Sequence, residues 1–463
     1  MTDSSRSQTA AASEYFSSNR ESFLEQLFAL LAQRSVSTTG EGIPECAELV
    51  RTLLEKAGLR ASTIATDGAP MVIGEYERPG NRFTLLLYGH YDVQPADEPE
   101  WQSDPFAPTV RDGRIYARGA SDNKGQFYAH IAAIASLLAA DAHIPVNVTV
   151  LLEGEEETGS PNIDSFLQSQ RERLAADLVL IADGPGHPSG RPVAVFGARG
   201  LVYLEVSLRN AETDQHSGTY GGVTPNPAVA LSRLISNLIG TDRTVNAPGF
   251  YDRVRAPSRS EVELARAIPF SAAGFRRTIG VRALEPSISD NLEYWRRIMF
   301  EPNLNVSGIA SGYTRTGMKS VIPSKAVLKL DARLVPDQDP TEIAELLASE
   351  IRRLEPEATV NYLARMTPYR IEPSDHATTA VLASLARAWQ SEPLVYPSLG
   401  GSLPAAGFLT ALEAKPIVLS YGHHDQNNHG PNENLRLDHF ELGVHSTLEI
   451  IAALAELDRN AQN

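Results

Sequence analysis

Three short apolar runs, residues 83–88, 146–152 and 178–182, constrain the fold of this chain more than any other feature. Each has the length and makeup of a buried strand, and the first ends abruptly in Gly89-His90. Around them, residues 21–31, 44–57 and 124–140 carry apolar side chains at helical spacing, the last stretch rich in alanine. Strands alternating with helices predict an α/β fold with a mostly parallel central sheet covered by helices on both faces.

The middle of the chain reads differently. Residues 201–208 alternate like a half-exposed strand, 225–238 reads as an amphipathic helix, and 246–282 is irregular and rich in proline and arginine. Strand-like stretches at 303–309, 326–334 and 358–364 accompany a helix over 340–354. Two helices over a small antiparallel sheet fit this order. Beyond about residue 374 the α/β pattern returns, with a helix at 378–389, a strand at 416–420 and a last helix at 438–457. A smaller domain inserted into a larger one is therefore expected, with segments 1–200, 201–372 and 373–463. The 463 residues suit two or three domains.

Composition narrows the function. No apolar run reaches the roughly eighteen residues of a transmembrane helix. The first residues are polar and lack the basic-then-apolar order of a secretory signal, so a short frayed arm and a cytoplasmic location are expected. Cys46 is the only cysteine, which excludes an intrachain disulfide and thiolate-rich zinc sites. It reads as a small apolar residue on a helix. A net charge of −16 argues against nucleic-acid and anionic-membrane partners. Part of that charge is expected to be clustered carboxylates that a bound cation would cancel.

In open α/β sheets, functional groups gather beyond the carboxyl ends of the strands. The first run leads to His90 and Asp92, the second to Glu155, Glu156 and Glu157, and the third directly to Asp183. Asp122 stands at the start of the helix from Lys124. His, Asp and Glu suit zinc, and also manganese or cobalt. Residues two apart in an extended segment point the same way, so Asp92 is placed to accept the second ring N–H of His90.

These segments resemble the motifs of the M20 metallopeptidases, especially the carnosinase-like dipeptidase branch. The resemblance lies in Gly89-His90-Tyr91-Asp92-Val93-Gln94-Pro95, Arg118-Gly119-Ala120-Ser121-Asp122-Asn123-Lys124-Gly125 and Glu153-Gly154-Glu155-Glu156-Glu157-Thr158-Gly159. It continues in Asp214-Gln215-His216-Ser217-Gly218 and His429-Gly430-Pro431-Asn432-Glu433. The five matches run in family order from about residue 85 to 435.

The resemblance implies a zinc-peptidase-like catalytic domain with an inserted α+β lid and dimerisation domain. It implies two divalent metal ions per subunit, with Asp122 bridging, His90 and Asp183 completing one shell, and Glu157 and His429 the other. Glu156 is the implied general base and Asp92 the residue that orients His90. The family places base then ligand just before a Ser/Thr-Gly turn, which selects Glu156 and Glu157 and leaves Glu155 outside. His216 is the implied oxyanion donor, supplied by the lid of a partner subunit in a homodimer. Arg333 and the Gly400-Gly401-Ser402 loop are implied to hold the substrate carboxylate. His423 and His424 lack the trailing Asn-Glu and read as pocket residues rather than ligands. Asn123 stands where many relatives carry a second aspartate.

The expected activity is hydrolysis of the amide bond of dipeptides or similarly small peptides. Removal of an N-acyl or N-carbamoyl group from an amino acid is the rival within the enzyme class. A non-catalytic metal- or ligand-binding relative is the rival outside it, although such a relative is expected to lack the base or a ligand.

Overall fold

The computed structural model describes residues 3–140, 143–284, 288 and 290–460. Two sheets organise it. The strands of the first half are β1 (Arg60–Ile64), β2 (Met71–Tyr76), β3 (Thr84–His90), β4 (Asn147–Glu153), β5 (Leu178–Ala182) and β6 (Val193–Val195). The middle supplies β7 (Gly200–Arg209), β8 (Asn303–Ser311), β9 (Lys325–Leu334) and β10 (Thr359–Met366). Then come β11 (Leu394–Tyr396) and β12 (Lys415–Ser420).

The large sheet has the order β1-β2-β4-β3-β5-β12-β6-β11. Its centre, β4, β3, β5 and β12, is parallel throughout. The apolar runs are buried on both faces for the reason their composition implies. Leu85 and Leu87 pack into one core with the helices Lys124–Ala139 and Leu437–Asn460, while Leu86 and Tyr88 pack into another with Phe166 and Phe408. Cys46 is buried in the helix Ile43–Lys56.

The smaller sheet, β8-β9-β7-β10, is antiparallel. Along β7 buried and half-buried residues alternate, so one face is packed and the other is not. The packed face is covered by the helices Pro227–Leu238 and Pro340–Leu354 through Leu231, Leu234, Leu238, Ile343, Leu347 and Ile351.

Two expectations need correction. The N-terminal arm is helical, Asp3–Ser18, because Phe16 finds aromatic partners both nearby, Phe23 at 5.4 Å, and far along the chain, Phe440 at 6.1 Å between ring centroids. The stretch 246–282 is not irregular throughout. It contains the helices Arg259–Ala267 and Ala272–Ile279, the first closed by a reciprocal capping box between Ser258 and Glu261. Among the described residues, no helix is long and apolar enough to cross a membrane.

Candidate metal centre

Parallel strands end on one side, so the residues just past β3, β4 and β5 converge. Register makes this concrete: His90 on β3 pairs directly with Glu153 on β4. The turn after β4 then carries Glu156 and Glu157 back toward β3. Gly89 permits the close approach, since a Cβ there would stand 2.7 Å from Phe127 Cβ and 2.8 Å from Asn123 Oδ1.

Two triads result. His90, Asp122 and Asp183 each offer one ligand atom, and these lie within 4.8 Å of one another; Asp122, Glu157 and His429 do the same. Asp122 belongs to both, with Oδ1 3.2 Å from His90 Nε2 and Oδ2 3.0 Å from His429 Nε2. His429 Nε2 also lies 3.2 Å from Glu157 Oε2, and His90 Nε2 lies 3.8 Å from Asp183 Oδ2. Glu155 is turned away, accepting from Asn162 Nδ2 at 2.7 Å.

Asp92 does two things at once. Its carboxylate lies 3.3 Å from His90 Nδ1, and it accepts the backbone N–H groups of Glu156 (3.2 Å) and Glu157 (3.0 Å). The residue that orients the histidine therefore also fixes the turn bearing both glutamates.

The donors fit divalent cations. His90 Nε2 is buried without a hydrogen-bond partner, although the two carboxylates face it. Burial pushes the Glu156 carboxyl well above the carboxylate range, and the charges of Asp183, Glu157 and Asp122 push it further. Burial, then Asp122, pushes Asp183 up to about 7. So much negative charge packed together calls for a counter-cation. An all-N/O set of His, Asp and Glu is the donor chemistry of zinc, manganese or cobalt.

Three supporting residues have roles that the sequence alone did not assign. Glu433, fully buried, accepts from the backbone N–H of Gly119 (3.0 Å), Ser121 (2.9 Å) and Asp122 (3.0 Å) and pairs with Arg118 Nη1 at 2.9 Å. It anchors the loop that presents Asp122. Asn123 bridges the ends of two strands, accepting from His90 N–H at 3.2 Å and donating to Ala182 C=O at 2.5 Å. An ionised aspartate would lack that donor, so the amide suits this position. Gln94 Nε2 donates to Glu157 Oε2 at 2.7 Å.

The remaining sequence-predicted residues lie elsewhere. His216 is exposed where Gln215–His216 pairs with Val321–Ile322, its Nδ1 accepting from Gly218 N–H at 3.1 Å. Within one chain it does not join the triads. Arg333 Nη1 donates to Ser402 Oγ at 2.8 Å, which brings the arginine of β9 to the 400–402 loop. Gly400 and Gly401 are held there by Arg199, whose Nε donates to Gly400 C=O (2.7 Å) and whose backbone N–H donates to Gly401 C=O (3.0 Å). His423 sits between Arg114 Nη1 (2.9 Å) and Asn434 Oδ1 (3.0 Å), and neither it nor His424 belongs to a triad.

A mostly parallel α/β sheet with two histidine–carboxylate triads sharing one aspartate defines a metallohydrolase type of centre. The chain belongs to peptidase family M20/M25/M40, whose family model matches residues 86–453. It is 27% identical over 400 residues to the human Beta-Ala-His dipeptidase, covering 84% of this chain and 78% of that one. It is 29% identical over 387 residues to the Cys-Gly metallodipeptidase of Schizosaccharomyces pombe, covering 81% and 80%. The crystal structure of an M20 family metallo-carboxypeptidase from Sulfolobus solfataricus superposes with a TM-score of 0.89 at 34% identity, over 94% of this chain and 99% of that one.

Proposed function

We propose that the protein is a two-metal dipeptidase, hydrolysing the amide bond of dipeptides or similarly small peptides. The observation that carries the proposal is the pair of triads sharing Asp122, with Glu156 next to them on the turn that Asp92 grips. The relatives' names support small peptides as the substrate class.

His90, Asp122 and Asp183 would hold one ion, and Asp122, Glu157 and His429 the other, with zinc our first choice. Bound there, the ions would supply Lewis acidity to a water molecule and to the scissile carbonyl. Glu156, which is not needed as a ligand, takes the proton of the attacking water and returns it to the departing amine. Asp92 keeps the His90 ring in one orientation and the glutamate turn in register with it. Arg333 and Ser402 pair with the substrate carboxylate, for which a planar guanidinium fork is well shaped.

An oxyanion donor is also needed. His216 is our candidate, acting from the partner subunit of a homodimer, and its exposure on the lid supports this. The same reading divides the chain into a catalytic domain, 1–200 and 373–463, and a lid, 201–372. The change from the parallel to the antiparallel sheet at β7, and the end of the latter at β10, supports that division. We keep a cytoplasmic location as part of the proposal; the single, buried cysteine is compatible with it.

The test is a substrate panel on metal-reconstituted protein: dipeptides, N-acetyl and N-carbamoyl amino acids, and longer peptides with free carboxyl ends. Dipeptides should have the highest kcat/KM. A preference for the N-acyl compounds would replace this reading with the deacylase one, and a preference for longer peptides would replace it with a carboxypeptidase one.

A further inference from the structure

Beside Arg199 and Arg333, which bond the 400–402 loop, lies a cavity of about 1180 Å³, lined by these two arginines and Asp331 together with Tyr251, Val254 and Tyr294 among others. Five arginines line it against three carboxylates, in a chain whose net charge is −16. Arg296 and Arg297 have close acidic partners: Arg296 pairs with Glu301, and both pair with Glu293 at 3.0 Å.

Arg199 and Arg333 are less well matched. Arg199 is 6% exposed, and its side chain donates to carbonyl oxygens, Gly400 at 2.7 Å and Glu301 at 3.5 Å. Burial, and then the charge of Arg333, pull its guanidinium down to about 10. Asp331 is the acid nearest Arg333, but at 3.8 Å from Nε, and its Oδ2 is taken by Asn305 Nδ2 at 2.9 Å. A buried cation whose hydrogen bonds go only to carbonyls, with Asp331 near it but not bonded to it, gains when an anion bonds it directly. The cavity is also far roomier than one carboxylate requires; pockets of roughly 300–1,000 Å³ hold whole small ligands.

We propose that this cavity receives the carboxyl-side residue of the substrate and favours one whose side chain is itself a carboxylate. Arg333, with Ser402, takes the main-chain carboxylate and Arg199 the side-chain carboxylate. The 246–282 segment, which the motifs leave without a role, thereby forms part of the wall of a specificity pocket through Tyr251 and Val254. The inference rests on the small-peptide reading of the site.

The experiment compares kcat/KM for Ala-Glu, its neutral isostere Ala-Gln, and Ala-Lys, using metal-reconstituted wild-type protein, Arg199→Gln and Arg199→Lys, with metal content measured on each. One charge-assisted pair corresponds to about a tenfold preference for Ala-Glu over Ala-Gln. Ala-Lys should be poorest. Arg199→Gln should bring the Glu/Gln ratio toward one without loss of metal, and Arg199→Lys should largely keep it. Equal values for the three dipeptides in the wild type, or a ratio unmoved in Arg199→Gln, would overturn the assignment. If the Arg199 variants do not fold, the wild-type Glu/Gln ratio decides alone. If no dipeptide is cleaved, the small-peptide reading falls, and calorimetry with free glutamate and glutamine decides the cavity. Glutamate about tenfold tighter supports it, and equal affinity overturns it.

Discussion

At the scale of single residues, two carboxylates separate chemistry from scaffold. Replacing Glu156 by Gln should lower kcat about 10²- to 10⁴-fold, the usual contribution of a positioned base, with bound metal unchanged. Elemental analysis beside steady-state kinetics checks both halves. Glu433 is the opposite case. Glu433→Gln leaves the Arg118 charge buried beside a neutral amide, and breaking a buried pair costs about 3–5 kcal/mol. A matching fall in unfolding free energy in urea is the expected result; unchanged stability would count against an anchoring role. His90, Asp122, Glu157 and Asp183 were legible because each sits in a short local motif at or near a strand or helix end, whereas His429, within the loop 421–433, was given only by the family resemblance. Glu433, Asn123 and Gln94 were not, because their roles lie in contacts across the fold: Glu433 reaches Ser121 over 312 positions, and no spacing rule encodes that.

At the scale of elements, the strands with continuous apolar runs were readable, and so was the alternating β7. β1 and β2 were missed: Arg60–Ile64 is a partly exposed edge strand without a clear alternation, and its identity comes from its partner. The N-terminal helix was missed for a similar reason, since its burial depends on Phe440 at the other end of the chain. Helix packing also sets a pH dependence. His130, on Lys124–Ala139, is 1% exposed, with Nδ1 2.8 Å from Thr447 Oγ1 on Leu437–Asn460. Burial pushes its ring down to about 3 from an ordinary 6.5. The folded state thus resists protonation that the unfolded chain accepts, so this contribution is full above pH 6.5 and is lost as pH falls toward 3. The loss should approach about 1.4 kcal/mol per pH unit in that window. Replacing His130 by Gln should flatten the dependence in denaturant titrations at pH 7, 6 and 5; an unchanged slope would show that the ring does not control it.

At the scale of the whole molecule, the central question is how one chain completes its site. If His216 serves the neighbouring subunit, His216→Ala and Glu156→Gln should each be inactive alone yet complement each other. In a random mixture half the dimers are mixed, and each has one site with both groups intact, so activity should return to about a quarter of wild type. Co-expression with two tags and assay of the purified mixed dimer, expected at about half of wild type, would read this directly; no recovery would place the oxyanion donor within the subunit. The central claim, two ions acting together at a shared aspartate, is tested most directly by titrating metal back into chelated protein while following dipeptide hydrolysis. The account predicts no activity without metal and full activity only at two equivalents of zinc, manganese or cobalt per chain, with Asp122→Ala unable to recover it. Undiminished hydrolysis by the metal-free protein, or saturation at one equivalent, would contradict it.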